Sequence, residues 1–140
     1  MKERIPVSTI MTENVVKLNL TDTLSKAEEL FLKYNIRHLP VVAGNKVIGM
    51  LSYTDLLRAS VAEGLDEDDK VIGATVYNMY NLEQVMVKDV VTIQAYTNIK
   101  DAAEILATSG FRALPIVKGE DLVGILTTTD LILYLLKQYD

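Results

Sequence analysis

The chain says the same thing twice. Residues 11–57 align with residues 86–132 at a constant offset of 75, with no gap, and fifteen of the 47 aligned positions are identical. Among the identities are Arg37/Arg112, Leu39/Leu114, Pro40/Pro115, Gly49/Gly124, Thr54/Thr129 and Asp55/Asp130. A duplication of this kind restricts the architecture sharply. A unit of ~60 residues hides only about 60% of its unfolded surface, so the two halves are expected to share a core and neither to be stable when cut out. Two copies of one small unit can pack face to face and create two related clefts between them. Function is to be sought at the repeated polar residues near them.

Composition removes several alternatives. At 140 residues the chain fits one compact module. The absence of cysteine excludes disulfides, thiolate catalysis and zinc–cysteine sites, and fits a reducing cytoplasm. Net charge is −5, five acids fall within residues 63–69, and no basic stripe exists, so a nucleic-acid surface is not expected. The apolar run near the end, LILYLL, is far short of the ~20 residues of a membrane span. MKERIPVSTIMTEN lacks the apolar centre of an export signal. The expected location is therefore cytoplasmic, away from membranes.

Each repeat reads β-α-β-β-α. Residues 15–18 and 90–93 are short β-branched runs suited to a strand. Leu24, Ala27, Leu30, Phe31 and Tyr34 then fall on one helical face, and Ile99, Ala102, Ile105 and Leu106 repeat it. Thr23 and Asn98 stand ahead as N-cap candidates. Asn35 and Gly110, aligned at the helix ends, share a tolerance of positive φ and predict a left-handed C-cap. HLPVV and ALPIV read as strands whose prolines suit an edge. Turns at Gly44 and Gly119 lead into residues 47–51 and 122–126, and second helices are expected over 56–62 and 131–137. STIM and EQVM are helical lead-ins to the repeats. The connector, 63–81, begins as an acidic loop, and its apolar end packs as either a helix or a lid.

The motif Gly49-x-x-Ser52-x-Thr54-Asp55 returns as Gly124-x-x-Thr127-x-Thr129-Asp130 at a strand–helix junction. One reading is a capping box, in which a hydroxyl and a carboxylate three residues on satisfy helix N–H groups. The other is a site for an anionic sugar. The helix N-terminus and the hydroxyl would meet phosphate, the aspartate would accept from two ribose hydroxyls, and Gly49 and Gly124 would let ligand approach the backbone. Ile36-Arg37-His38 and Phe111-Arg112-Ala113 precede the Leu-Pro pairs. Arg37 and Arg112 are either solvated surface cations or forks for phosphate. His38 is the sole histidine, which excludes a two-histidine metal site. No P-loop, GxGxxG motif or nucleophile–base pair is present, so catalysis and metal binding are not expected.

With RHLPVV/RALPIV and two gapless G-x-x-S/T-x-x-D motifs, the chain resembles a tandem pair of CBS domains, a Bateman module. The resemblance covers nearly the whole sequence, as repeats at 7–62 and 82–138 around the 63–81 connector, with no catalytic domain attached, like a stand-alone member. It implies an α/β fold of two repeats packed through their sheets. It further implies a regulatory, energy-sensing module that binds AMP, ADP or ATP, needs no cofactor and is not an enzyme. Relatives of this kind also take S-adenosylmethionine, NAD or cyclic dinucleotides. Asp55 and Asp130 would hold ribose hydroxyls, and Ser52, Thr54, Thr127 and Thr129 would contact ribose or phosphate. Ile36, Arg37, His38, Phe111, Arg112 and Ala113 would border base and phosphates, with Met50 and Ile125 as walls. Lys17 stands where the second copy has Thr92, and Ala113 where the first has His38, so the first site carries more positive charge. A homodimer and a regulated protein partner are implied as well. The competing expectation is a structural dimerisation module with empty clefts.

Overall fold

A computed structural model describes residues 4–62 and 79–140, so the expectation for the connector lies outside the described residues up to position 78. The first repeat runs from a 3-10 turn (Val7–Thr9) through β1 (Leu18–Asn19), α1 (Leu24–Tyr34), β2 (His38–Ala43) and β3 (Lys46–Ser52) to α2 (Tyr53–Ala62). The second runs from α3 (Leu82–Val85) through β4 (Ile93–Gln94), α4 (Ile99–Ser109), β5 (Ala113–Lys118) and β6 (Asp121–Thr127) to α5 (Thr128–Lys137). This is the mixed α/β architecture expected, and every element of the second repeat starts 75 residues after its counterpart.

Within each repeat the order is the same. β1 runs parallel to β2, with Leu18 beside Val41, and β2 is antiparallel to β3. β4, β5 and β6 repeat this, with Ile93 beside Ile116. The caps form as the sequence predicts. Thr23 Oγ1 accepts from Lys26 N–H at 3.1 Å, and Asn98 Oδ1 from Asp101 N–H at 2.9 Å. Asn35 and Gly110 take the left-handed conformation, at φ 52° and 82°. Leu24, Ala27 and Phe31 of α1 and Ile99, Ala102 and Leu106 of α4 are buried. Tyr34 is not; it stands exposed with Lys33 Nζ 5.3 Å from its ring centre.

Three local expectations change. β1 and β4 begin at Leu18 and Ile93, later than the valine runs. The division of the chain into its two units falls at Val15–Val16 and again at Val90–Val91, and those β-branched residues precede the paired segments. The second helices begin three residues early, at Tyr53 and Thr128, because their first turns contain Thr54, Asp55, Thr129 and Asp130. Pro40 and Pro115 lie on the middle strand of each three, not on an edge. Both backbone groups of Met50 bond to Val87, at 3.0 and 2.9 Å, and those of Ile125 to Thr12, at 3.0 and 2.9 Å. Pro40–Met50 and Pro115–Ile125 are therefore non-hydrogen-bonded pairs, and the missing proline N–H breaks no ladder bond. On the opposite side β1 reaches only Val41 and Val42.

The bonds of Met50 and Ile125 also show how the units are built. One unit is Val16–Val90; the other is Met1–Val15 with Val91–Asp140. Each lead-in thus packs with the repeat that it does not precede. Leu82 and Met86 are buried among Leu18, Leu24, Phe31, Leu39, Leu51 and Leu56. Val7 is buried among Ile93, Ile99, Leu106, Leu114 and Leu126, and Val7 N–H donates to Thr97 O at 2.7 Å. α3 has its own capping box, in which Asn81 and Gln84 exchange hydrogen bonds of 2.9 Å.

The glycines serve this exchange. A Cβ on Gly49 would lie 2.5 Å from Met86 Sδ, and one on Gly124 would strike Met11 Sδ and lie 2.9 Å from Met11 Cγ. The space expected to admit a ligand at Gly49 and Gly124 holds a methionine thioether instead. Both glycines sit beside a bulge, where Ile48 and Val123 have no partner in the ladder.

Leu82→Ala should therefore destabilise the first repeat by about 2–5 kcal/mol, the usual cost of truncating a fully buried leucine. Hydrogen exchange should locate the loss in α1 and β2; a loss confined to α4 and β5 would contradict the exchange.

Candidate functional site

Each strand–helix junction is built by the same three backbone devices. Asp55 N–H donates to Ser52 Oγ at 3.0 Å, and Ser52 N–H donates to Asp55 Oδ2 at 3.4 Å. Asp130 N–H donates to Thr127 Oγ1 at 3.2 Å, and Thr127 N–H donates to Asp130 Oδ2 at 2.9 Å. The capping boxes are thus real. The N–H of the first helical residue is also taken: Tyr53 N–H donates to Arg37 O at 2.9 Å, and Thr128 N–H to Arg112 O at 3.2 Å.

What stays open is narrow. The N–H groups and hydroxyls of Thr54 and Thr129, both exposed, have no hydrogen-bond partner among the described residues. A helix N-terminus carries partial positive charge, and here only one of its donors faces solvent next to a hydroxyl. The Arg37 and Arg112 side chains are exposed, with no carboxylate in ion-pair reach among the described residues. Their carbonyls tie them to the helix start, one residue ahead of the pairs His38–Ser52 and Ala113–Thr127. The junction of each repeat therefore brings together a threonine hydroxyl and N–H and a carboxylate, with an arginine whose backbone is bonded to the helix start. Those groups suit a phosphate beside a vicinal diol.

The remaining candidates divide. Met50 and Ile125 are nearly buried and lie in the strand beside the lead-in bonds. Ile36 and Phe111 are half-buried and pack against the cores of their own units, and Ala113 is buried. Lys17 and Thr92 are exposed, one residue ahead of β1 and β4, and no hydrogen bond or ion pair ties them to the junction. Among the described residues no cluster of acids and histidine has the makings of a metal site.

The copies differ in their carboxylates. Asp130 accepts a further bond, at Oδ1 from Thr12 Oγ1 at 3.3 Å, and one at Oδ2 from Thr127 Oγ1 at 3.2 Å. Asp55 has in place of these an ion pair with Arg58 at 4.0 Å, whose side chain is 78% exposed, a weak contact at such exposure. Thr12 was not legible as a site residue. Its aligned partner is Val87, so the repeat itself gave no signal.

Comparison with known proteins agrees with this duplicated layout. The CBS domain model matches twice, at residues 7–62 and 82–137. The chain belongs to the CBS domain family. Its two CBS repeats form a tandem pair, and solved CBS-pair structures share the fold. A putative acetoin utilization protein, AcuB, from Vibrio cholerae superposes with a TM-score of 0.82 at 28% identity, covering 98% of this chain and 94% of that one. CBSX2, solved in complex with AMP, gives 0.80 at 24% identity, covering 97% and 99%. The CBS pair of MJ0100, solved with 5′-methylthioadenosine and S-adenosyl-L-methionine, gives 0.79 at 21% identity, covering 99% and 100%.

Among curated CBS relatives, MJ1225 of Methanocaldococcus jannaschii is 32% identical over 128 residues, which are 91% of this chain and 41% of that protein. YhcV of Bacillus subtilis is 29% identical over 125 residues, 89% of this chain and 81% of that protein. The chain also spans 23% of a homoserine O-acetyltransferase from Methanocorpusculum labreanum, at 30% identity. Several relatives are thus much longer than the shared region. No helix among the described residues is long and apolar enough to cross a membrane.

Removing the capping hydroxyl tests the junctions. Ser52→Ala and Thr127→Ala should each cost about 1 kcal/mol of stability in urea unfolding, as lost N-caps do.

Proposed function

We propose that this CBS pair is a regulatory module that binds an adenine nucleotide, of the AMP, ADP or ATP type, at its strand–helix junctions. The observation that carries the reading is the junction itself: a threonine N–H and hydroxyl without a partner among the described residues, a carboxylate, and an arginine whose carbonyl is bonded to the helix start, built twice by the same backbone bonds. Asp55 and Asp130 hold the ribose hydroxyls; Ser52, Thr54, Thr127 and Thr129 meet ribose or phosphate; Arg37 and Arg112 take phosphate. His38 gives the first repeat a further polar side chain, with Lys17 a more distant cation. Ile36, Phe111, Ala113, Met50 and Ile125 supply apolar surface for the base. The AMP complex of CBSX2 supports this ligand class, and the MJ0100 complex with 5′-methylthioadenosine and S-adenosyl-L-methionine supports an adenosine-containing ligand. The module acts by ligand-dependent signalling in the cytoplasm, not by catalysis.

A homodimer belongs to the same reading. On α5, Ile132, Leu133, Leu135 and Leu136 are all more than half exposed, as is Tyr139 just beyond it, while Leu131 and Tyr134 pack inward. An apolar helix face of that extent in a protein of net charge −5 fits a partner surface. The same face favours the second reading, a dimerisation scaffold whose junctions serve only as caps.

Thermal unfolding against AMP, ADP, ATP, NAD, S-adenosylmethionine and a cyclic dinucleotide separates the two. Ligand at a hundredfold above its Kd should stabilise the fold by ~2.7 kcal/mol, a shift of several degrees. Asp55→Asn keeps an oxygen for Ser52 N–H but cannot accept from both ribose hydroxyls. It should lose ligand stabilisation at the first site while costing under about 1 kcal/mol itself. A flat panel at millimolar ligand would favour the scaffold. In a separate measurement, Leu133→Glu with Leu136→Glu should halve the mass seen by light scattering; an unchanged mass would exclude α5 as the dimer face.

A further inference from the structure

The two aspartates are chemically unequal although the repeat makes them identical in sequence. Asp130 has both oxygens engaged: Oδ2 by Thr127 N–H and Oγ1, Oδ1 by Thr12 Oγ1. Among the described residues the Asp55 carboxylate receives a single hydrogen bond, the 3.4 Å one from Ser52 N–H. The difference traces to one position. Thr12 and Val87 are aligned, and each bonds by its backbone to the strand residue five before the aspartate, Ile125 or Met50. The lead-in backbone is therefore held alike in both units, but Val87 has no hydroxyl.

We infer that Thr12 is a latch on Asp130, so that a vicinal diol, such as that of a ribose, engages Asp55 first and must displace the Thr12 hydroxyl to engage Asp130. This rests on the nucleotide-binding reading and adds an order of occupancy to it. A diol donates one hydrogen bond to each carboxylate oxygen. At Asp55 the Oδ1 atom receives no hydrogen bond among the described residues and lies 4.0 Å from the exposed Arg58 side chain. At Asp130 the same oxygen already accepts from Thr12 Oγ1 at 3.3 Å on one of its two lone-pair sites, so the incoming hydroxyl competes with that bond. The net cost is that of one hydrogen bond, so the sites should differ by about three- to tenfold. The latch comes from the lead-in of the first repeat, so the grade of the second repeat's junction is set by a residue 118 positions away.

The test is a reciprocal exchange in the full chain. AMP is titrated by calorimetry and by amide NMR into the wild type, Thr12→Val, Val87→Thr and Asp55→Ala. The wild type should bind in two steps, the tighter lost in Asp55→Ala. Thr12→Val should tighten the weaker step about three- to tenfold, and Val87→Thr should weaken the tighter one to a similar degree. A urea double-mutant cycle between Thr12→Val and Asp130→Asn should give a coupling in the absence of nucleotide. Two steps that depend on Asp55 and Asp130 but ignore both exchanges would overturn the latch and leave nucleotide binding standing. No heat and no shift in any variant would overturn both, whatever the coupling. Equal affinities in the wild type would also overturn the latch.

Discussion

The molecule depends on four backbone hydrogen bonds that each lead-in shares with the repeat it does not precede. Met50 exchanges two with Val87, and Ile125 two with Thr12. Around them lie Met86 against Gly49 and Met11 against Gly124, at distances that leave no room for a Cβ. Because each lead-in backbone fills the free side of Met50 or Ile125, the proline opposite is tolerated. Because a methionine fills the glycine hollow, Leu82 and Val7 reach the cores of their units. A repeat excised at 7–62 would leave its own core without Leu82 and Met86. The marginal size of one repeat thus has a specific origin, beyond the general shortage of buried area in ~60 residues.

The two functions a capping box can serve are compatible at these junctions. Ser52 and Asp55, like Thr127 and Asp130, satisfy each other's backbone groups. That arrangement fixes the carboxylate's position without consuming all its lone pairs, since an ionised carboxylate has about four. The helix start gives up three donors to the box and to the arginine carbonyl, and keeps one, at Thr54 or Thr129. A phosphate there would depend more on that N–H, the hydroxyl and the guanidinium than on the helix dipole as a whole.

The sequence made much of this legible, and the reason differs by element. α1 and α4 showed themselves because their buried faces follow the helical period, and Thr23, Asn98, Asn35 and Gly110 because cap geometry selects residue type. Ser52, Asp55, Arg37 and their repeats stood out because they recur. The exchange of lead-ins was invisible: period and composition report that Leu82 is apolar, not which core receives it. The valine pairs read as strands because β-branched residues suit extended backbone, yet Val15–Val16 and Val90–Val91 precede the paired segments. Gly49 and Gly124 were read as openings for ligand, since absence of a side chain does not say what fills the space. Thr12 was hidden because the comparison of repeats highlights shared residues, and its effect comes from a difference.

The exchanged lead-ins also set an order on synthesis. When residue 62 leaves the ribosome the first repeat is complete as a sequence, yet its core still lacks Leu82 and Met86. Val7 waits longer, until Leu126 and the strand holding Ile125 have been made. Thr12 meets Asp130 across 118 residues, and loops of that span close late because their entropy is lost before the contact is gained. Val7 and Met11 thus stay without their packing partners until β5 and β6 have emerged, and the segment that carries them is received by a unit made after it.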